Sequence, residues 1–335
     1  MEDSIVAVVV TYNRLTLLKK CILALRKQTK KINDIVVIIN GSDDGTKEWL
    51  ENQKGLIIFY QTNTGGSGGF NRGIKEAYKK GFDWIWIMDD DAFPDEHCLE
   101  KMFSCHNLIY NKNFILTPVV VENNEIDFLH RGYISINKFQ IPLQTPINDK
   151  KLLKESIHEI TFASYIGMCI GREIVKVVGY PNEDFFIFHD DVEYSIRIQN
   201  NGFKIYLIKE AVIFHKVEPI SIQPDVYINE LIGMRKNTEG KLTNKRVNTS
   251  RNDTITMKDV FLCMAKRNII NIALVHYKIN IRISLYILKD IIRTILVIAK
   301  RSDRKKLIQL YISSFKQAFT GKFSNNKLIE IYKKV

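Results

Sequence analysis

The sequence predicts an α/β fold in which a mostly parallel central sheet carries helices on both faces. Over the first hundred residues, short β-branched runs alternate with segments of helical period, which is the pattern of repeated βαβ units. The runs are apolar throughout, as expected of strands covered on both faces. Polar clusters follow three of them, at Thr11–Asn13, Asn40–Asp44 and Asp89–Asp91. In a parallel sheet such clusters lie at one edge, where ligands bind.

The expected elements follow one another in regular succession. They are Ile5–Val10, Leu15–Gln28, Ile35–Ile39, Gly45–Asn52, Leu56–Tyr60, Asn71–Lys80 and Trp84–Met88. The segment Phe114–Glu159 gives weaker signals, interrupted by prolines, and is interpreted as an irregular or hairpin region. A helix over Asp190–Asn200 and strand-like runs over Lys204–Ile208 and Ala211–Phe214 complete a first domain, residues 1–217.

The rest of the chain is divided into a polar linker or loop, 218–257, and a basic amphipathic helical region, 258–335. The helical region contains 17 Lys and Arg against 4 Asp and Glu, so it accounts for the whole formal charge of +12. Its helices mix large apolar side chains with Lys and Arg, which is typical of helices in an anionic membrane interface. The alternative is a helical pair that packs on the first domain or on a second subunit.

Composition excludes several classes of protein. With 45% hydrophobic and 26% charged residues, the chain is an ordinary folded protein. The first domain is nearly neutral, which argues against nucleic-acid binding. The five cysteines are odd in number and form no CxxC pair, which fits a reducing cytoplasm. No signal-peptide pattern opens the chain, and Ile281–Ala299 carries too many charges for a bilayer-spanning helix.

Three aspartates, Asp89, Asp90 and Asp91, stand where the apolar run Trp84–Met88 emerges into solvent. Alternate residues of an extended segment face the same way, so Asp89 and Asp91 are expected on a common side. Oxygen donors at this spacing suit Mg²⁺ or Mn²⁺ that bridges a substrate diphosphate. The alternative is a solvated acidic turn before the next helix.

A glycine-rich segment, Asn63–Gly73, follows a strand and opens a helix. Backbone N–H groups in such a segment are expected to lie against a phosphate. The segment fits neither GxGxxG nor the Walker A pattern, which disfavours NAD or ATP. A flexible loop is the alternative, and a phosphate contact by Arg72 stays open.

A second acidic cluster opens the helix at Asp190. Helix capping explains one of Asp190 and Asp191, and the other is a candidate general base if the neighbouring aromatic rings raise its pKa. Glu193 and Arg197 are expected to form an i,i+4 ion pair. His215 ends a strand-like run, and its spacing alone is more typical of a structural histidine than of a metal ligand.

Together these segments resemble glycosyltransferase family 2, whose members have the GT-A fold, a Rossmann-like sheet with helices on both faces. The resemblance covers residues 5–216 and is closest in kind to bacterial galactofuranosyltransferases and rhamnosyltransferase-like enzymes. It rests on the runs VAVVVTYNR, NGSDDGT, NTGGSGGFNRG, DWIWIMDDD, FFIFHDDVEYSIR and a later IFH.

The resemblance implies a role for each matching residue. It makes Asp191 the catalytic base with Asp190 in support, and Asp89, Asp91 and His215 the ligands of Mn²⁺ or Mg²⁺. The implied nucleotide-sugar contacts are Thr11, Tyr12, Asn13, Arg14, Asn40, Asp44, Gly66, Gly68, Gly69, Arg72, Asp89 and Asp90. The implied acceptor contacts are Tyr165, Gly167 and His189. Galactan-building enzymes carry paired tryptophans where this chain has Tyr165 and Ile166, which predicts a different acceptor.

These roles imply an inverting glycosyltransferase. The expected donor is UDP-galactofuranose, with dTDP-rhamnose as the alternative. The expected acceptor is a lipid-linked oligosaccharide of bacterial surface polysaccharide synthesis, such as O-antigen, capsule or galactan. The enzyme is then expected at the inner face of the cytoplasmic membrane, and a homo-oligomer is left open. A nucleotidyltransferase is disfavoured because it does not explain the His-Asp-Asp segment and His215.

Overall fold

The structure is a computed structural model that describes residues 3–104, 114–135, 143–147, 154–216, 235–236, 242–243, 256–277, 279–299, 301 and 303–333. The described residues through Lys216 form one compact unit, and those from Arg235 onward form a second. Nearly all of the predicted linker, 218–257, lies outside the described residues.

In the first unit, strands and helices alternate as predicted up to β4. The strands are β1 Ile5–Thr11, β2 Asp34–Asn40, β3 Leu56–Gln61, β4 Trp84–Asp89, β5 Ala92–Pro94, β6 Phe114–Glu122, β7 Glu125–Ile126, β8 Arg131–Ser135, β9 Leu143–Pro146, β10 Ile157–Ile160, β11 Phe162–Ala163, β12 Met168–Gly171 and β13 Lys204–His215. The helices are α1 Leu15–Arg26, α2 Thr46–Glu51, α3 Gly65–Lys80, α4 Cys98–Phe103, α5 Arg172–Val178 and α6 Asp190–Asn200.

Ten of the described strands form one mixed sheet in the order β10-β13-β6-β12-β4-β1-β2-β3, with β5 and β7 attached to β13 and β6. The half made of β3, β2, β1 and β4 is parallel, which confirms the predicted α/β class. β12 lies antiparallel between β4 and β6, and β6 runs parallel to β13. The carboxyl ends of β1, β2 and β4 therefore meet at one edge, with β6 and β13 in the same sheet.

The interpretation of Phe114–Glu159 as irregular is wrong for its first part. β6 is a nine-residue strand in the middle of the sheet. Pro118 has no N–H for the strand ladder, and it pairs with Ile208 where β13 bulges before Val212. The proline therefore marks an irregular position inside a strand and not the end of regular structure.

Helices cover both faces of the sheet and create two cores. Alternate residues of β1 point to opposite faces. Ile5, Ala7 and Val9 belong to the core on the α1 side, whereas Val6, Val8 and Val10 belong to the core on the α3 side. A strand buried on both faces has to be apolar at every position, which is the pattern that the sequence shows.

All of the glycine-rich segment after Thr64 lies inside α3, which begins at Gly65 and not near Asn71. A Cβ on Gly69 would come within 2.4 Å of Val10 Cγ1, and one on Gly73 within 2.3 Å of Val8 Cγ1. These two glycines therefore let α3 pack closely on β1. Gly66 and Gly68 lie in the first turn of the same helix, so the alternative of a flexible loop is wrong.

The described residues of the second unit form two short antiparallel strands, Arg235–Lys236 and Leu242–Thr243, followed by helices, as the helical period from residue 258 predicted. Its helices are α7 Met257–His276, α8 Ile281–Ala299, α9 Arg304–Thr320 and α10 Asn325–Lys333. A buried ion pair between Lys266 of α7 and Asp290 of α8 lies inside this unit, and Lys266 also donates to Thr294 Oγ1 at 3.1 Å. None of the described helices is long and apolar enough to cross a bilayer.

Candidate active site

Asp89 is the last residue of β4, and Asp90 and Asp91 form the turn into β5. The alternation predicted through Asp91 therefore stops at Asp89, because the chain is no longer extended there. Arg14, just before α1, forms ion pairs with both Asp90 and Asp91. Thr11 at the end of β1 donates its hydroxyl proton to Asp90 Oδ2 over 2.7 Å. Asp90 is thus tied to the β1 end of the site.

Strand pairing brings His215 to Asp91. β5 pairs antiparallel with the end of β13, so that Ala92 lies opposite His215. His215 Nε2 lies 3.4 Å from Asp91 Oδ1. This buried oxygen has no hydrogen-bond partner among the described residues. Two ligands of one cation, each about 2.1 Å from it, lie about 3 Å apart. The predicted ligands Asp91 and His215 therefore fit a divalent cation.

Two residues that the sequence analysis missed, Glu122 and His130, lie beside His215. The parallel pairing of β6 and β13 places Glu122 next to His215, whose Nδ1 forms a hydrogen bond with Glu122 Oε1. His130 Nε2 lies 3.5 Å from the same oxygen. Donor atoms of Glu122, His130 and His215 all lie within 4.8 Å of one another. This cluster is a second candidate set of metal ligands.

A local signal for Glu122 exists in the sequence. The apolar end of β6 is followed by Asn123 and Asn124, which have φ angles of 49° and 66°. Asparagine tolerates this left-handed region, and adjacent residues of this kind between two strands indicate a tight hairpin turn. The pattern therefore places Glu122 at a strand end, although nothing local indicates its neighbour His215.

The helix α6 presents Asp190 and Asp191 in its first turn, and the predicted Glu193–Arg197 ion pair is confirmed at 2.7 Å. The chain enters α6 through Phe186, Phe188 and His189, which have φ angles of 67°, 66° and 64°. Such angles cost non-glycine residues about 1–3 kcal/mol each and persist where the surroundings impose them.

The start of α3 supports this strained turn. The Phe186 carbonyl oxygen accepts a hydrogen bond from Ser67 N at 3.3 Å. A Cβ on Gly65, whose φ is +76°, would come within 1.9 Å of that oxygen. Ser67 also donates its hydroxyl proton to Asn182 O. The glycine at the head of α3 is therefore needed for contact with the loop that carries Asp190 and Asp191.

The carboxyl groups of the site have unusual acidities. Burial, together with the charge of Asp91, raises the pKa of Asp89 to about 7. Burial raises the pKa of Asp191 to about 6, although a hydrogen bond from Val192 N and the charge of His130 oppose it. Burial beside Asp191 raises the pKa of Asp190 well above its usual range. A pKa near 6 suits a general base that works near neutral pH.

The pKa values of Asp91 and His215 are set by their contacts with charged neighbours more than by burial. Burial alone raises the pKa of Asp91, but its contacts with His215 and Arg14 outweigh burial and lower it. Burial alone lowers the pKa of His215, but its contacts with the carboxylates of Asp91 and Glu122 raise it to about 10. The charges of His215 and Asp191 both act on Asp89. The two acidic clusters are therefore close enough to interact.

Several predicted nucleotide contacts lie in two loops that are joined at the carboxyl edge of the sheet. Asn13 N donates to Ser42 Oγ at 3.0 Å, and Asn13 Oδ1 accepts from Asp43 N at 2.8 Å. Asp44 accepts from the N–H of Leu15 at 2.9 Å. Tyr12 is 48% exposed, so its ring is accessible at this edge. Thr11, Tyr12, Asn13, Arg14 and Asp44 are thus brought together.

Two other predicted nucleotide contacts have structural partners. The buried side-chain amide of Asn40 donates to Gly65 O at 2.9 Å and accepts from Thr64 N at 3.1 Å, which joins β2 to α3. Arg72 lies about two turns into α3, where it forms a 3.0 Å ion pair with Glu76. The structure therefore places Arg72 away from the edge that carries the aspartates.

Of the predicted acceptor residues, Tyr165 and Gly167 are buried and His189 is half-buried. Tyr165 is buried against Phe70, and its hydroxyl has no hydrogen-bond partner among the described residues. Gly167 has a φ of +76° and accepts a hydrogen bond from Trp86 Nε1 at 3.0 Å. Burial lowers the pKa of His189 to about 4, so its imidazole is neutral at pH 7.

A buried arginine, Arg131, organises the same stretch and was not predicted. Its guanidinium donates to Pro118 O at 3.0 Å, to His130 O at 2.7 Å and to Ile166 O. Burial lowers its pKa to about 9, so it stays charged at neutral pH. Its charge acts on Asp191. Arg131 therefore holds the Ile166 loop and contributes positive charge near the candidate base.

A mixed α/β sheet with aspartates and a histidine at one edge, and a carboxylate at the start of a nearby helix, defines a glycosyltransferase with a GT-A-like fold. The sequence pattern of Glycosyl transferase family 2 matches residues 6–176, about half of the chain. The chain belongs to this family.

Similar proteins agree with this assignment. Galactofuranosyltransferase GlfT1 of Mycobacterium tuberculosis is 33% identical over 227 residues, which cover 64% of this chain and 71% of the relative. The dTDP-rhamnosyl transferase RfbF of Shigella flexneri is 26% identical over 231 residues, which cover 67% and 72%. A crystal structure of GalNAc-T7 with UDP, GalNAc and Mn²⁺ has a TM-score of 0.51 at 15% identity. That match covers 63% of this chain and 43% of GalNAc-T7, and it supports the fold.

Proposed function

We propose that this chain is an inverting, metal-dependent glycosyltransferase that transfers galactofuranose from UDP-galactofuranose to a hydroxyl group of a lipid-linked glycan. The reaction belongs to the synthesis of a bacterial surface polysaccharide at the inner face of the cytoplasmic membrane. The observation that carries the proposal is the contact of Asp91 with His215 at one edge of the sheet, close to the carboxylate of Asp191.

The residues support a direct displacement. Asp191 accepts the proton of the acceptor hydroxyl, and the hydroxyl oxygen forms the new bond to the anomeric carbon. The bond from that carbon to the nucleoside diphosphate breaks, and the diphosphate leaves with the electron pair. Attack opposite to the leaving group inverts the anomeric configuration. Arg131 places positive charge near Asp191, which favours its ionised form.

The donor set fits a divalent cation. Asp91 and His215 would hold it, with Asp89 toward the donor diphosphate, and Mn²⁺ and Mg²⁺ both accept such ligands. When bound, the cation neutralises charge on the leaving diphosphate. In the metal-free protein the charge of His215 compensates the buried Asp91 Oδ1, and a bound cation would take over that role.

The nucleotide is proposed to lie across the joined loops at Thr11–Asn13 and Ser42–Asp44. The half-exposed ring of Tyr12 is available to stack on a base, and Arg14 carries a positive charge toward the phosphates. Galactofuranose is preferred because relatives named galactofuranosyltransferase reach 33% identity. Rhamnose from dTDP-rhamnose is the alternative, supported by the 26% identity to RfbF.

The helix α8 supports a membrane-bound acceptor. Its outward face is apolar and its inward face carries Asp290 and Thr294, which are buried. Exposed basic residues flank the apolar stripe at Arg282, Lys289 and Arg293. An apolar stripe with a basic edge complements an anionic lipid surface. The exposed apolar residues of the stripe are Ile281, Leu285, Leu288, Ile292, Ile295 and Leu296.

A vesicle flotation experiment tests this surface. The full chain should float with vesicles that contain anionic lipid and not with neutral ones. Replacing Leu288 and Ile292 by Glu should abolish flotation, whereas Val275→Glu, a change at an exposed apolar residue of α7, should not. Equal flotation of all three proteins would contradict the membrane proposal, and a change in oligomeric state without flotation would favour a second copy as the partner.

A donor screen tests the activity itself. A ligand that binds the native state raises the unfolding temperature. We expect stabilisation by Mn²⁺ together with UDP-galactofuranose or UDP, and less by Mn²⁺ with dTDP-rhamnose. Product analysis with a lipid-linked acceptor should then show inversion at the anomeric carbon. Stabilisation by dTDP-rhamnose with Mn²⁺, and none by UDP or UDP-galactofuranose with Mn²⁺, would favour the rhamnosyltransferase alternative.

A further inference from the structure

We infer that Glu122 is a positioning residue that orients His215 toward the cation site and does not bind the cation itself. The inference rests on the proposed metal-dependent function and assigns a role to a residue outside the sequence motifs. Glu122 ends β6 and His215 ends the parallel strand β13, so the two side chains meet at the same sheet edge.

The two ring nitrogens of His215 have different partners. Nδ1 forms its hydrogen bond with Glu122 Oε1, whereas Nε2 lies 3.4 Å from Asp91 Oδ1. A neutral imidazole has one N–H and one lone pair. If Glu122 accepts the proton on Nδ1, the lone pair is on Nε2, the nitrogen that faces Asp91. A carboxylate behind a metal-bound histidine acts in this way, since it selects the tautomer and fixes the ring.

The alternative is direct binding of a cation by Glu122, His130 and His215, whose donor atoms form a compact cluster. In that arrangement the ligand from His215 would be Nδ1, which is already in hydrogen-bond contact with Glu122. His130 would offer Nε2 to this cluster, since its Nδ1 lies 3.1 Å from Ser164 Oγ and its Nε2 has no hydrogen-bond partner among the described residues. A second unpartnered buried atom, Asp91 Oδ1, lies on the other side of His215 and faces its Nε2 at 3.4 Å. We place the cation on the Asp91 side because that arrangement keeps the hydrogen bond between Glu122 and His215 Nδ1, whereas binding by the cluster would break it.

Variants at Glu122 separate the two arrangements. Glu122→Ala removes the acceptor for Nδ1–H, whereas the amide oxygen of Glu122→Gln still accepts that hydrogen bond. His130→Ala removes a ligand only if the cluster binds the cation directly. Glu125→Gln is the matched control, because Glu125 is exposed and pairs with Glu122 across the hairpin.

The measurement is a calorimetric titration of the full 335-residue chain with Mn²⁺ at saturating UDP, with a parallel series at saturating dTDP. We expect Glu122→Ala to weaken Mn²⁺ binding by roughly 10–100-fold. Glu122→Gln should bind Mn²⁺ with an affinity much closer to that of the wild type than Glu122→Ala does, because its amide oxygen still accepts the hydrogen bond. The Mn²⁺ affinities of His130→Ala and Glu125→Gln should stay within about threefold of the wild-type value, because neither change removes the acceptor that orients His215. Thermal unfolding of each metal-free variant reports whether it is folded.

Three results would overturn the inference. Wild-type affinity in Glu122→Ala would show that Glu122 does not orient His215. A tenfold or greater loss of Mn²⁺ affinity in both Glu122→Gln and His130→Ala would show that the cluster binds the cation directly. This comparison distinguishes the two arrangements even if Glu122→Ala does not fold. A wild type that binds no Mn²⁺ in either series would overturn the metal dependence of the proposed function as well.

Discussion

The Nε2 atom of His215 lies 3.4 Å from Oδ1 of Asp91, although the two residues are far apart in the sequence. The short antiparallel pairing of β5 with the end of β13 creates this contact. In the metal-free protein a proton on His215 is stabilised by Asp91 and Glu122, which raise its pKa to about 10. That proton has to leave before Nε2 binds a cation.

Cation binding should therefore become stronger as pH rises. Between pH 6.5 and 8.5 most of the metal-free His215 is protonated, so we expect the apparent Mn²⁺ affinity to increase by up to about tenfold per pH unit for one released proton. Calorimetry in buffers of different ionisation enthalpy measures the proton release. In His215→Asn the slope should fall by about one proton per cation and keep the part due to Asp89, whose pKa is about 7, and an unchanged slope would contradict the role of His215.

Replacing Asp191 by Asn should abolish sugar transfer and leave donor binding near normal. The amide cannot accept the acceptor proton, but it keeps the shape of the carboxylate. Since the base must be ionised, the wild-type kcat should rise with pH through the pKa of Asp191, about 6. A pH-rate profile and a thermal-shift measurement with Mn²⁺ and UDP check the two halves of this prediction. Full turnover by the variant would remove Asp191 from its role.

The sequence predicts the parallel half of the sheet because β1 to β4 and their helices are local, strongly patterned units. It also predicts the end of β4 and the start of α6, where aspartates follow buried apolar runs. It does not predict the position of β6, since Pro118 interrupts the strand pattern and the compensating bulge lies in β13. Arg131, Glu122 and His130 were missed for a related reason, because their partners come from distant strands.

The same limit applies to the glycine-rich segment. Its composition indicates close approach of the backbone to something, and the sequence alone does not say whether that is a phosphate or a protein neighbour. In the structure the neighbours of Gly69 and Gly73 are valines of β1, and the neighbour of Gly65 is the Phe186 carbonyl. The local sequence therefore indicates that the backbone approaches a neighbour closely, and only the tertiary structure identifies that neighbour.

Asp89→Asn should stabilise the metal-free protein while it weakens cation binding. Burial raises the pKa of Asp89 to about 7, so the folded state holds its proton more tightly than the unfolded chain does. The stabilisation that comes from this tightly held proton is thus present at low pH, and it is lost as pH rises from about 4 to 7. At pH 8 the neutral amide should raise stability by about 1–3 kcal/mol.

Urea unfolding of the two metal-free proteins at pH 5 and pH 8 measures this effect. The free energies of unfolding of the wild type and Asp89→Asn should differ more at pH 8 than at pH 5, because the wild-type carboxylate is ionised at pH 8. Addition of Mn²⁺ with UDP should then stabilise the wild type and not the variant. A variant that is less stable than the wild type at pH 8 would show that the Asp89 carboxylate contributes favourable contacts that outweigh its burial.

Gly69→Ala should destabilise the fold, because the new Cβ would come within 2.4 Å of Val10 Cγ1 and 3.3 Å of Cγ2. Val10 is β-branched and packed in the core on the α3 side, so it cannot move aside freely. Overpacking of this kind costs about 1–3 kcal/mol. Gly66→Ala is the matched control in the first turn of α3, since a Cβ there meets nothing within 4 Å among the described residues.

In the control, alanine replaces glycine within a helix and should raise the free energy of unfolding by up to about 1 kcal/mol. A double-mutant cycle with Val10→Ala isolates the contact, because that change removes both methyl groups that the Cβ of Gly69→Ala would meet. We expect the double variant to recover most of the cost of Gly69→Ala relative to Val10→Ala alone. Equal effects of Gly69→Ala and Gly66→Ala in urea unfolding would contradict close packing as the reason for glycine at 69 and would return a phosphate contact to consideration there.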